Sequence, residues 1–69
     1  MGGELLRSGQ PVVWVAAEPY VEVDIHGVEH AVMKGDLGSV IDDGPVEIVV
    51  SFPAVGSFCP PRSSIAPAE

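Results

Sequence analysis

Polar and apolar positions alternate most cleanly over residues 20–26. Tyr20, Glu22, Asp24 and His26 fall on one side, and Val21, Val23 and Ile25 on the other. A period of two over this length predicts a half-buried strand, the aliphatic set toward a core and the polar set toward solvent. A second strand is predicted after residue 45, with Val46, Ile48, Val50 and Phe52 on one face and Glu47, Val49 and Ser51 on the other. Pro53 stops it, because proline cannot donate to a ladder. Residues 11–17 are apolar on both faces, with Val12, Val13, Trp14 and Val15 in succession. That predicts a strand held between the core and a further layer, ended by Glu18 and Pro19. Weaker extended segments follow at residues 28–33, 39–41 and 63–66. No segment carries a helical period, and turn signals recur about every ten residues, the all-β spacing.

The turns have identifiable chemistry. Gly35 and Gly38 bracket Asp36 and Leu37 in a tight glycine turn that calls for positive φ. At residues 42–45, Asp42 and Asp43 are suited to bonding local N–H groups, Gly44 to a left-handed conformation, and Pro45 to separating the flanking strands. Cys59, Pro60, Pro61 and Arg62 suit a short turn or 3₁₀ connection. The expected organisation is a flexible N-terminal arm over residues 1–10, one domain over residues 11–66, and a frayed end at 67–69. Five or six short strands in one small domain are expected to close into a barrel, which hides the edges.

The run Lys34, Gly35, Asp36, Leu37, Gly38, Ser39, Val40, Ile41, then a turn, then Val46 to Phe52 with a proline step into a last strand, resembles an SH3-like barrel. It is similar to the electron transport accessory protein group. That group includes the variable chain of ferredoxin–thioredoxin reductase, a small barrel subunit of photosystem I, and the barrel of the nitrile hydratase β-subunit. KOW-type barrels share the glycine turn. The resemblance covers residues 11–66 and implies an accessory subunit that docks on a larger enzyme.

Charge narrows the partners. Three basic residues stand against ten acidic ones, a formal net charge of -7. Arg7, Lys34 and Arg62 form no cluster, so nucleic acid and anionic membranes are poor partners, and a basic protein surface is a better one. With 46% apolar and 19% charged residues, the chain is too hydrophobic to be disordered throughout. No apolar run approaches the roughly twenty residues needed to span a bilayer, and the polar first ten residues carry no signal-peptide core. Cytoplasmic residence is expected, and the single cysteine, Cys59, excludes an internal disulfide.

Candidate chemistry is sparse. His26 and His30, with Asp24, Glu22 and Glu29 nearby, are the one set with metal-ligand character, but Gly27 breaks the strand between the two imidazoles, and a metal site needs three or four supported ligands where only two histidines exist. Cys59 reads as a small buried hydrophobe, since nothing in the spacing supplies an electropositive setting. Gly35 and Gly38 lack the lysine–serine pair and following helix of a phosphate loop. No nucleophile–base or paired-acid pattern is present, so a catalyst and a cofactor are not expected. Trp14 and Phe52 are expected in the core, and Tyr20 on the exposed polar face. The expected function is a non-catalytic adaptor docking on a larger protein through Glu18, Tyr20, Glu22, Asp24 and Glu29. The alternatives are a metal- or small-ligand-binding barrel using His26 and His30, and a self-assembling barrel with a site at its symmetry axis.

Overall fold

A computed structural model describes residues 7–68. Residues 1–6 of the expected arm and Glu69 lie outside the described residues. The chain forms seven strands: β1 (Pro11–Trp14), β2 (Tyr20–Val23), β3 (Glu29–Val32), β4 (Leu37–Asp43), β5 (Ile48–Phe52), β6 (Gly56–Phe58) and β7 (Ile65–Pro67). One 3₁₀ turn, Arg62–Ser64, precedes β7. The all-β expectation holds, with two more elements than the lower strand count. Five strands make an antiparallel sheet in the order β6-β5-β4-β1-β7, and β2 and β3 make a separate hairpin. No ladder joins β6 to β7 among the described residues, so hydrogen bonds do not close the sheet into a barrel.

The main sheet follows from its side-chain alternation. On β5, Ile48, Val50 and Phe52 are buried while Val49 and Ser51 are half-buried. Val46 precedes the strand and is 89% exposed, so it does not continue that face. On β1, Val12 and Trp14 point inward, and Val13 is half-buried between Leu37 of β4 and Ala66 of β7. This is why β1 is apolar on both faces. The core comprises Val12, Trp14, Val32, Val40, Ile48, Val50, Phe52 and Ile65. Phe58, Tyr20, Ala16 and Val55 pack around it.

The ends are tied in. Gly9 N–H donates to the Val40 carbonyl at 2.6 Å, and Val40 N–H to the Gln10 carbonyl at 2.9 Å. Pro67 pairs with Val12, and Ala68 N–H donates to the Pro11 carbonyl. Backbone bonds to the sheet therefore begin at Gly9 and run to Ala68 among the described residues.

Two glycine assignments need correction. Gly35 has φ +97°, and the Asp36 N–H closes its turn onto the Met33 carbonyl, as expected. Gly38 has no positive φ and lies within β4. It is required because a Cβ there would sit 2.5 Å from the Ser51 carbonyl oxygen and 2.8 Å from the Phe52 ring. Gly44 is not left-handed either. Asp43 ends β4 instead of opening the turn, a bulge between Val40 and Asp42 shifts the register, and Gly44 N–H bonds the Glu47 carbonyl. The Asp43 carboxylate, its side chain only 2% exposed, is paired with the Arg62 guanidinium, which also donates to the Gly44 carbonyl.

Candidate functional site: the β2–β3 hairpin

The hairpin pairs Tyr20 with Val32, Val21 with Ala31, Glu22 with His30 and Val23 with Glu29. Its tip is built by Asp24. The Asp24 N–H donates to the Val28 carbonyl, and Gly27 N–H, at a residue with φ +78°, donates to the Asp24 carbonyl. The Asp24 Oδ1 accepts from the His26 N–H at 2.8 Å and the Val28 N–H at 3.0 Å. Its other oxygen lies 2.8 Å from His30 Nε2. An aspartate satisfying two backbone donors of its own turn is an Asx-type device, and the paired imidazole holds it in place. The His30 bond first, then the Val28 N–H, lowers the Asp24 carboxyl below the ordinary carboxylate range.

That shift has a pH consequence with a definite sign. A depressed carboxylate contributes stability above its unfolded value and loses it as pH falls through the folded one. In an acid titration followed by NMR, the His26 and Val28 amide resonances are expected to move together, with a midpoint below the ordinary carboxylate range. The transition should vanish in Asp24→Asn. Independent midpoints for the two amides would show that the turn does not depend on this one group.

Tyr20 joins the hairpin to the sheet. Its ring stacks on Phe58 with centroids 4.1 Å apart and planes inclined by 15°. Phe58 in turn contacts Trp14 and Phe52, so all four aromatic residues form one cluster. The Tyr20 hydroxyl donates to Glu22 Oε2 at 2.6 Å, and this bond, with desolvation and the Glu22 charge, raises the phenol above its ordinary value. Tyr20 is therefore half-buried, not fully exposed on the polar face. Its aromatic area is worth more packed on Phe58 than left in water. Tyr20→Phe should cost about 1 kcal/mol or less, from one hydrogen bond. Tyr20→Ala should cost about 2 kcal/mol, from the lost ring packing, read by urea unfolding.

The faces of this strand are the reverse of the expectation. Tyr20, Glu22, Asp24 and His30 occupy the side that carries the buried Val32, and they largely satisfy one another. Val21 (47% exposed), Val23 (63%) and Met33 (58%) lie on the other side with half-buried Ala31 and exposed Glu29, the cross-strand partner of Val23, and Ile25 (95%) and Val28 project at the tip. The polar spacing concealed this. The available signal was the aromatic inventory, because a chain with one Tyr, one Trp and two Phe has no aromatic to spare from its core.

The remaining expected site residues are dispersed. Glu18 and Glu29 are exposed, and the Glu18 carbonyl accepts the Trp14 indole N–H at 3.0 Å. His26 is exposed, and its N–H is what Asp24 engages. Among the described residues, no group of three or more His, Cys, Asp or Glu side chains is placed to hold a metal ion. Cys59 is exposed, contrary to expectation, because Pro60 is the buried residue of that step. Of the three cations in the sequence, Arg62 is committed to Asp43. A recess of about 280 Å³ lies between Asp36, Leu37, Phe52, Pro53 and Ala54. It falls at the lower limit of the roughly 300–1,000 Å³ typical of small-molecule sites.

Comparison with known proteins places no relative beside this geometry: no family model matches the chain, nor does any curated protein or solved structure. No helix among the described residues is long and apolar enough to cross a membrane.

Proposed function

We propose that this chain is a non-catalytic docking module that binds a larger protein carrying a basic surface, and that it does so through the outer face of the β2–β3 hairpin. The observation that carries this reading is the exposure of Val21, Val23, Ile25, Val28 and Met33 on one hairpin. Exposed apolar residues gathered on one element mark a binding surface more often than scattered ones do, and here Glu29, paired with Val23, sits among them. The net charge of -7 selects the partner, since opposite charge speeds encounter and excludes acidic competitors.

The fold supports an SH3-like reading of the scaffold. Its strand order, β6-β5-β4-β1-β7, with a hairpin excursion after β1 and a 3₁₀ turn before β7, is compatible with a small barrel-like scaffold of that kind, although hydrogen bonds do not close the sheet. On this reading the chain is an accessory subunit of the kind the sequence resembles, working in the cytoplasm. It departs from the sequence expectation in where it docks: the acidic residues steer the encounter, and the aliphatic face supplies the contact.

Val23→Glu tests the reading. Val23 is exposed and in no packed contact with the core, and the new carboxylate lies across the ladder from Glu29, so the substitution should cost about 1 kcal/mol or less and lower the melting temperature by only a few degrees. Complex formation with a native partner should fall by about tenfold or more. Unchanged binding would remove the hairpin from the interface.

A further inference from the structure

Beyond exposing an apolar face, the hairpin is a two-stranded sheet with no strand paired along either outer edge among the described residues. The Asp24 N–H to Val28 carbonyl bond makes residues 24 and 28 a hydrogen-bonded pair. Antiparallel ladders alternate, so Glu22 with His30 and Tyr20 with Val32 are hydrogen-bonded pairs too. The N–H and C=O groups of Val21 and Val23 then point away from β3, and those of Glu29 and Ala31 point away from β2. The two edges differ. On the β3 side, the next outward donor, Met33 N–H, is capped by Asp36 Oδ2 at 2.9 Å, and the turn at Gly35 carries the chain on to β4. On the β2 side, no strand lies alongside among the described residues.

We propose that the β2 edge accepts an extended strand of the partner protein, one with apolar and basic residues in alternation. This rests on the docking reading above and specifies its mode. An added strand would bond the outward backbone groups of Val21 and Val23, the general route by which an exposed sheet edge captures a peptide. Side chains of the added strand alternate between the two faces. One set lies beside Val21 and Val23, where aliphatic side chains extend the apolar surface. The other lies beside Glu22 and Asp24, where lysine or arginine is favoured and a carboxylate is repelled. The same rule disfavours a second copy of this chain as the occupant, because pairing β2 with itself sets the Glu22 and Asp24 carboxylates of two strands side by side.

The outward orientation of the Val23 N–H gives a specific test. Val23→Pro removes a donor that the β2–β3 ladder does not use, while blocking the edge. Val23→Thr keeps the donor and serves as the control. The probe is a synthetic peptide of alternating valine and lysine, with its valine–glutamate counterpart, titrated into the labelled chain and followed by amide NMR. The valine–lysine peptide should shift the Val21 and Val23 amides and slow their exchange. The valine–glutamate peptide should do neither, and Val23→Pro should weaken binding by about tenfold or more while Val23→Thr does not. Binding that survives in Val23→Pro, or shifts confined to other strands, would overturn strand addition. So would concentration-dependent dimerisation abolished by Val23→Pro, which would identify a second copy as the occupant. If the peptide fails while Val23→Glu still abolishes a native complex, strand addition falls and the docking reading stands. If Val23→Glu leaves that complex intact, the docking reading falls with it.

Discussion

Replacing Gly38 with alanine is expected to be the most damaging single-methyl change in the chain. The added Cβ meets the Ser51 carbonyl oxygen at 2.5 Å and two Phe52 ring atoms at 2.8 Å. The oxygen belongs to β5 and cannot move without breaking its ladder, and Phe52 is the largest fully buried side chain. Overpacking of this kind costs about 3 kcal/mol. A domain of this size has only about 3–10 kcal/mol of stability in total. The expected result is a fall in melting temperature of about 15 °C, given roughly 4–8 °C per kcal/mol in small domains. The buried Trp14, whose ring lies 6.1 Å from that of Phe52, provides the fluorescence signal. Gly35→Ala is the comparison. It meets nothing within 4 Å and carries only the strain of its left-handed φ, about 1–2 kcal/mol. A Gly38→Ala protein no less stable than Gly35→Ala would mean that β4 and β5 are further apart than described.

Loss of Arg62 is expected to rank next. Arg62 bridges the 3₁₀ turn to the end of β4, pairing with the buried Asp43 carboxylate and bonding the Gly44 carbonyl. The Asp43 side chain is 2% exposed but that of Arg62 is 44%, so removing the guanidinium weakens the compensation of a buried carboxylate at a pair open to water on one side, which costs about 2 kcal/mol. Arg62→Met keeps the aliphatic stem and deletes the charge, so urea unfolding should report the electrostatic loss with little change in packing. Asp43→Asn added to Arg62→Met should recover part of it, because a neutral amide costs less to bury than a carboxylate that has lost its guanidinium. Equal stability of Arg62→Met and the double variant would assign the loss to the guanidinium contact with Gly44.

These two positions also show what was legible in the sequence. The strand of residues 48–52 could be read directly, since its inward set of Ile48, Val50 and Phe52 alternates with Val49 and Ser51. The all-β class and the turn at Gly35 could be read for the same reason: both depend on local chemistry. Gly38 could not be assigned its role, because the close approach of β5 is a tertiary fact. Nor could Asp43, whose partner is 19 residues further along the chain. The hairpin misled in a more useful way. Period two over residues 20–26 correctly gave a strand but not which face is inside. The stacking of Tyr20 on Phe58 and the burial of Val32 decided that, against the hydropathy of the valines. A strand that turns its aliphatic residues to water at the expense of local preference is where a partner is expected.

The most direct test is isolation of the full chain from its own cells, wild type beside Val23→Glu, with both proteins first shown to be fully folded at the working temperature. At least one protein should be retained stoichiometrically by the wild type in a salt-sensitive complex and lost from Val23→Glu. The same retained proteins with both chains, or none with either, would contradict it.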